Sequence, residues 1–262
     1  MPGNERRSKS NRLQSKIIVV TGGSSGMGAA CARRAASEGA TVLIGARDEE
    51  RGEATAAEIV REGGKALFVP TDVTVEEEVA HLVDVAVKEF GGLHGAFNNA
   101  GGGNSQGALG DIDASFWDSV IALNLTSVFY SLKHEIPAIV ASGGGSIVNN
   151  ASVVGVVGDP GAPAYAAAKH GVVGLTRSTA LDAARSGVRV NALVTGLVNT
   201  PLWRSFVDGN PEAAQALLDK QPTARAADEA EIAAFAAFLL SDESPFITGA
   251  ALAIDGALTA GY

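Results

Sequence analysis

Tyr165 and Lys169 stand four residues apart in the segment Pro163 to His170, so a helix there presents both side chains on one face. An ammonium beside a phenol favours the phenolate, which predicts a tyrosine pKa lowered towards working pH. A tyrosine so tuned can exchange a proton with an alcohol or carbonyl oxygen. Alone, such a pair is weak, because two residues at helical spacing are ordinarily only a helix surface. Ser152, thirteen positions before Tyr165, adds a second donor for an oxygen on which negative charge develops. Asn124 and the run Asn98-Asn99-Ala100-Gly101 complete a polar set whose members are far apart in the chain.

A second chemical feature lies near the N-terminus. The run Lys16-Ile-Ile-Val-Val20 leads into Thr21-Gly-Gly-Ser-Ser-Gly-Met-Gly28 and then into helical periodicity. Glycines between a strand and a helix allow a tight turn and close approach of a pyrophosphate, whose charge meets backbone N–H groups at the helix start. Gly22, Ser24, Ser25, Gly26, Met27 and Gly28 are the candidate contacts. The glycine spacing is not that of the usual GxGxxG, and no Lys-Ser/Thr closes it as in a P-loop. At the end of the second strand an acidic residue would bind a ribose 2′-hydroxyl. Ala46 holds that place and Arg47 follows, so a 2′-phosphate is favoured and NADP(H) is expected over NAD(H). The other reading of Arg47 is a surface residue or a stack on adenine. Asp72 and Val73, at the end of the third strand, suit an adenine pocket.

Positioning these groups requires a particular set of elements. Short β-branched runs at 16–21, 41–46, 66–69, 95–98, 146–150, 188–194 and 251–254 alternate with helical stretches at 26–38, 49–62, 75–90, 115–140, 163–186 and 229–240. Strand, helix, strand repetition implies right-handed crossovers and a parallel sheet covered on both faces. The near-continuous apolar strands agree with burial on both sides. The expected fold is α/β, a single doubly wound Rossmann domain of three layers with a mostly seven-stranded parallel sheet. The interval 196–227 breaks the rhythm with Pro201, Pro211 and Pro222 beside Trp203 and Phe206. It reads as a substrate lid over the carboxyl ends of the strands, or else as ordinary surface packing.

Size and charge bound the rest. The chain has 262 residues, enough to bury a large core but short of a nucleotide domain plus a separate substrate domain. The expected division is a flexible tail at 1–15 and one domain at 16–262. Net charge is −9. The first sixteen residues hold Arg6, Arg7, Lys9, Arg12 and Lys16 against Glu5, so the body is more acidic still and phosphate backbones are repelled. Nucleic acid is not an expected partner. The opening residues lack the apolar run of a secretory signal, and no apolar stretch is long enough for a membrane helix. A lone Cys31 fits a cytoplasmic protein. Asp111, Asp113, His81, His94, His134 and His170 lack metal-ligand spacing, so no metal is expected.

Over Lys16 to Gly256 the sequence resembles the short-chain dehydrogenase/reductase family in its compact single-domain branch. The resemblance rests on 21–28, Asp72, 98–101, Asn124, Ser152, Tyr165 and Lys169, in order and at the family's spacings. It implies an Asn124-Ser152-Tyr165-Lys169 tetrad. Tyr165 would be the general acid/base and Ser152 would bond the reacting oxygen. Lys169 would hold the nicotinamide ribose and tune Tyr165, and Asn124 would fix a water. Asn99, Ala100 and Gly101 fall among the implied cofactor contacts, and Val198 and Thr200 match positions that meet the carboxamide. A homotetramer is implied as well. Two departures stand out: Thr195 occupies a usual proline place, and 149–152 reads Asn-Asn-Ala-Ser where tandem serines are usual.

The expected function is NAD(P)-dependent hydride transfer between nicotinamide and a ketone or secondary alcohol. The alternatives are an epimerase or dehydratase of the same family, whose substrate regions are usually longer, and a non-catalytic dinucleotide-binding or scaffold protein. Enoyl reductase relatives space their Tyr and Lys more widely. Trp203, Phe206 and the glycines at 101–103 point to a partly apolar pocket for a small carbonyl or alcohol substrate.

Overall fold

The computed structural model describes residues 11–102 and 107–261; the expected tail up to residue 10 and Gly103 lie outside them. Seven strands form one wholly parallel sheet in the order β3-β2-β1-β4-β5-β6-β7. They are β1 (Ile17–Thr21), β2 (Thr41–Ala46), β3 (Lys65–Pro70), β4 (Gly95–Asn98), β5 (Gly145–Asn150), β6 (Val188–Thr195) and β7 (Ala251–Ile254). The order runs outwards in both directions from the pair β1 and β4. Consecutive crossovers therefore leave on opposite faces there and open a crevice beyond the carboxyl ends of these two strands.

Strand alternation builds two cores. Ile18 and Val20 of β1 pack with α1 (Gly26–Ser37), α2 (Glu49–Arg61) and α9 (Glu229–Leu240), while Ile17 and Val19 point the other way into α3 (Glu76–Phe90), α5 (Ser127–Ala141) and α6 (Pro163–Ala183). Period two on a doubly covered sheet demands apolar residues at every position, which is why β1 is buried throughout. Fully buried side chains such as Ile232 and Leu239 of α9 each contribute about 1.5–3 kcal/mol relative to exposure.

Three regions depart from expectation. The predicted single helix at 115–140 is α4 (Ala114–Ile121), a π turn over Ala122–Thr126 that contains Asn124, and then α5. The irregular interval at 196–227 holds two helices, α7 (Pro201–Gly209) and α8 (Pro211–Lys220), each with proline in its first turn where no N–H is missed. Thr200 caps α7 by accepting from Trp203 N at 3.2 Å. At the base of this segment Val198 bridges Ala227, with Asn199 N to Ala227 O and Ala227 N to Leu197 O both at 2.8 Å. The third region is residues 11–15, which pack where a flexible tail was expected. Leu13 is fully buried, and Arg12 pairs with Glu38 at 2.6 Å.

Candidate active site

The turn after β1 is shaped by close approach. Gly22 and Gly26 have φ of +64° and +56°, and a Cβ on Gly28 would lie 2.2 Å from the Gly22 carbonyl oxygen. Gly28 is thus a packing residue behind the turn and does not line the cleft, whereas Gly22, Ser24, Ser25, Gly26 and Met27 do. Ser25 precedes α1 without a side-chain cap bond, and the first turn carries no acid. Its backbone donors and positive dipole end are therefore free for an anion. Asn99 holds the turn from β4, donating from Nδ2 to Thr21 O at 3.3 Å and Gly22 O at 3.4 Å. A narrow glycine cradle ending on an uncapped helix start fits a dinucleotide pyrophosphate.

Arg47 lies in the same cleft, and Arg51, which sequence reasoning missed, lies beside it. The signal was its place four residues after Arg47 at the start of α2. Both guanidiniums sit near carboxylates, Arg47 Nη1 being 3.9 Å from Asp72 and Arg51 Nε 3.3 Å from Asp48. Asp72 itself does not line the cleft, although Thr71 and Val73 on either side do. Its Oδ1 accepts from Thr74 N at 2.9 Å and Thr74 Oγ1 at 2.7 Å. That local turn lowers its pKa against the opposing effect of burial, with Arg47 helping.

Ser152, Tyr165 and Lys169 meet at the deep end of the cleft. Ser152 follows β5, while Tyr165 and Lys169 lie in the first two turns of α6. Lys169 Nζ is 5.6 Å from the centre of the Tyr165 ring and donates to Asn150 O at 2.7 Å. The expected downward shift of Tyr165 is not what this geometry produces. Burial pushes the phenol up to about 12, and the hydrogen bond to Ser152 only partly opposes it. Lys169, buried in turn, falls to about 8. The ammonium donates one hydrogen bond to a backbone carbonyl, and desolvation of the phenolate outweighs its attraction.

Asn124 is fully buried and does not line the cleft. Its Oδ1 accepts from Gly102 N at 3.0 Å, and its Nδ2 donates to Gly102 O and Val120 O, each at 3.0 Å. The side chain is a clamp on the loop after β4, set in a π turn of a kind frequent at functional sites. Gly101 fits tightly beneath it: a Cβ there would be 2.8 Å from Asn124 Oδ1 and 3.6 Å from Lys169 Nζ. The two sequence departures also meet. Asn150 donates to Asn99 Oδ1 at 3.1 Å and accepts from the Thr195 hydroxyl at 3.5 Å. Sequence alone could flag these residues as unusual but not as neighbours. Ala100, Val198 and Thr200 line the cleft as expected.

The cleft has a volume of about 1010 Å³. Its outer wall comes from α7 and α8. Trp203 and Phe206 pack with ring centres 5.6 Å apart and planes tilted by 34°, and Leu202 and Leu217 extend the surface.

A family model described as Enoyl-(Acyl carrier protein) reductase matches residues 22–259. The chain is 38% identical over 250 residues to cyclohexanol dehydrogenase of Acinetobacter sp. (strain SE19), covering 95% of this chain and 97% of the relative. The chain belongs to the short-chain dehydrogenase/reductase family. Cis-4-hydroxycyclohexanecarboxylate dehydrogenase of Sinomonas cyclohexanicum is 44% identical over 247 residues, covering 94% of this chain and 97% of that relative. The crystal structure of levodione reductase superposes with a TM-score of 0.91 at 36% identity, covering 95% of this chain and 99% of that structure. The chain is an oxidoreductase of secondary alcohols and ketones, and its family implies a nicotinamide cofactor.

Proposed function

We propose that the chain interconverts a ring ketone and its secondary alcohol with NADP(H), with Tyr165 as the acid/base. One observation carries this reading: Ser152, Tyr165 and Lys169 line the same cleft as the glycine cradle, with Lys169 Nζ 5.6 Å from the Tyr165 ring centre. The ring is argued from the names of the relatives and from the aromatic wall of α7. A bound nicotinamide supplies or accepts the hydride. Ser152 and Tyr165 then stabilise the oxygen on which charge builds, an interaction stronger in the transition state than in the ground state. A phenol whose pKa lies near 12 is protonated at neutral pH, so Tyr165 is charged with its proton for ketone reduction. Lys169, which donates to Asn150 O, would hold the nicotinamide ribose with its remaining donors and favour the phenolate when the alcohol is oxidised. Asn124 positions the 101–102 loop.

The NADP(H) preference rests on Arg47 and Arg51 together, two forks that can pair with a 2′-phosphate where Ala46 offers no acid to the 2′-hydroxyl. NAD(H) is the alternative. The cytoplasm suits the chain, whose one cysteine is buried with its thiol pKa pushed up to about 12, and no helix among the described residues is long and apolar enough to cross a membrane. We also propose a homotetramer, to be counted by light scattering. The catalytic reading is tested by Tyr165→Phe. Reduction of cyclohexanone should fall at least about 100-fold, while NADPH binding measured by fluorescence stays within a few-fold. A variant retaining most of its rate refutes the assignment.

A further inference from the structure

A row of polar side chains crosses the carboxyl ends of four neighbouring strands. Asn99, just after β4, donates from Nδ2 to Thr21 O at 3.3 Å and to Gly22 O at 3.4 Å, at the end of β1. Asn150, the last residue of β5, donates from Nδ2 to Asn99 Oδ1 at 3.1 Å. Thr195, the last residue of β6, donates from its hydroxyl to Asn150 Oδ1 at 3.5 Å. The strand order β1-β4-β5-β6 makes these four ends adjacent. Asn150 and Thr195 are 6% and 5% exposed, and both line the cleft together with Gly22 and Asn99.

The direction of the row is forced. The carbonyls of Thr21 and Gly22 can only accept, so the Asn99 amide turns its NH2 to β1 and its oxygen to Asn150. Asn150 must then give its own NH2 to Asn99, which leaves its oxygen for a donor, and Thr195 supplies one. The Asn99 amide fills the space that the glycines leave: a Cβ on Gly28 would lie 2.7 Å from its Nδ2, and one on Gly22 3.0 Å. Asn150 also gives its backbone oxygen to Lys169 Nζ at 2.7 Å. Both Asn150 and Thr195 fall in segments where the sequence departs from its family's usual pattern, and a proline at 195 would have no hydroxyl to donate. We infer that Asn150, with its amide aimed by Thr195, is a positioning residue for cofactor binding, holding Asn99 against the glycine turn and tying that turn to the strand end on which Lys169 is anchored. The inference rests on the nicotinamide cofactor that the family implies and is independent of the choice between NADP(H) and NAD(H).

The test titrates NADPH and NADH by fluorescence against five intact proteins, each checked for a cooperative thermal melt: wild type, Asn150→Leu, Thr195→Val, Thr195→Ser and the double variant Asn150→Leu with Thr195→Val. Leucine keeps the branching of asparagine but leaves Asn99 Oδ1 without its donor. A turn that has lost this support spends less time in its binding conformation, and the apparent dissociation constants rise in proportion. Asn150→Leu should weaken both dinucleotides by the same factor, about tenfold, and Thr195→Val by about threefold. Thr195→Ser, which keeps the hydroxyl, should bind within twofold of wild type. Because Thr195 acts through the Asn150 amide, Thr195→Val should add nothing to Asn150→Leu, whereas a hydroxyl that touched the cofactor itself would cost the same factor in both backgrounds. Full additivity, or an Asn150→Leu variant that binds both dinucleotides within twofold of wild type, overturns the inference. If Asn150→Leu gives no cooperative melt, the position 195 pair decides: a threefold gap between valine and serine supports the inference, and equal affinities overturn it. A wild type that binds neither dinucleotide overturns the cofactor reading and the inference with it.

Discussion

Glu135 offers a measurable consequence of how the sheet supports the site. It lies on α5, 1% exposed, and accepts from Asn98 Nδ2 at 2.9 Å. The same Nδ2 donates to Asn149 Oδ1 at 3.0 Å, and Asn149 Nδ2 donates to Thr176 Oγ1 at 2.9 Å. These asparagines end or nearly end β4 and β5, next to Asn99 and Asn150 in the cleft. Burial raises the Glu135 carboxyl from 4.5 to about 7, and the bond from Asn98 only partly opposes it. Between those pH values the native protein keeps a proton that the unfolded chain has released, so stability must fall as pH rises. The full contribution is present below 4.5 and is lost as pH rises through 7. At about 1.4 kcal/mol per pKa unit the loss across this window is about 3 kcal/mol. Glu135→Gln keeps an acceptor for Asn98 and removes the titration. Urea denaturation at several pH values between 4 and 8 should therefore give a flatter stability profile for the variant than for the wild type. Parallel profiles would refute the idea that this carboxyl is buried and titrates in the native state.

Four other substitutions probe three separate parts of the structure. Arg47→Ala and Arg51→Ala should each weaken NADPH about tenfold more than NADH, read by fluorescence titration; equal loss for both cofactors removes the case for a 2′-phosphate site. Gly101→Ala should cost about 1–3 kcal/mol through overpacking against Asn124 and should lower kcat as the loop shifts over Lys169, which thermal melts and initial rates together would show. Leu13→Ala should cost about 2–5 kcal/mol in urea denaturation, and a loss below 1 kcal/mol would mean that residues 11–15 do not belong to the core.

Much of the arrangement was legible in advance because it is local. Unbroken apolar runs such as Ile17–Val20 announce strands buried on both faces, and the glycines at 22, 26 and 28 announce a turn no other residue could make. Four-residue spacing put Tyr165 and Lys169 on one helical face. Helices α7 and α8 were harder to read: three prolines in about thirty residues look like interruption, yet Pro201 and Pro211 begin these helices, where a missing N–H costs nothing. The π turn at Asn124 left no mark in the periodicity, since one extra residue per turn is invisible to a pattern of apolar spacing.

Sequence by itself determined the doubly wound sheet and the glycine turn, and it singled out Ser152, Tyr165 and Lys169 as the side chains proposed for the chemistry, all of which depend on residue type and short-range spacing. Tertiary structure decided what those side chains are made to do. It turned the Lys169 ammonium onto a carbonyl 2.7 Å away and buried the Tyr165 phenol until its pKa rose. It also joined Asn150 to Thr195 and Asn99, and it placed Arg51 beside Arg47 in the cleft. Desolvation and long-range hydrogen bonding depend on which distant segments meet, and that is settled only when the chain has folded.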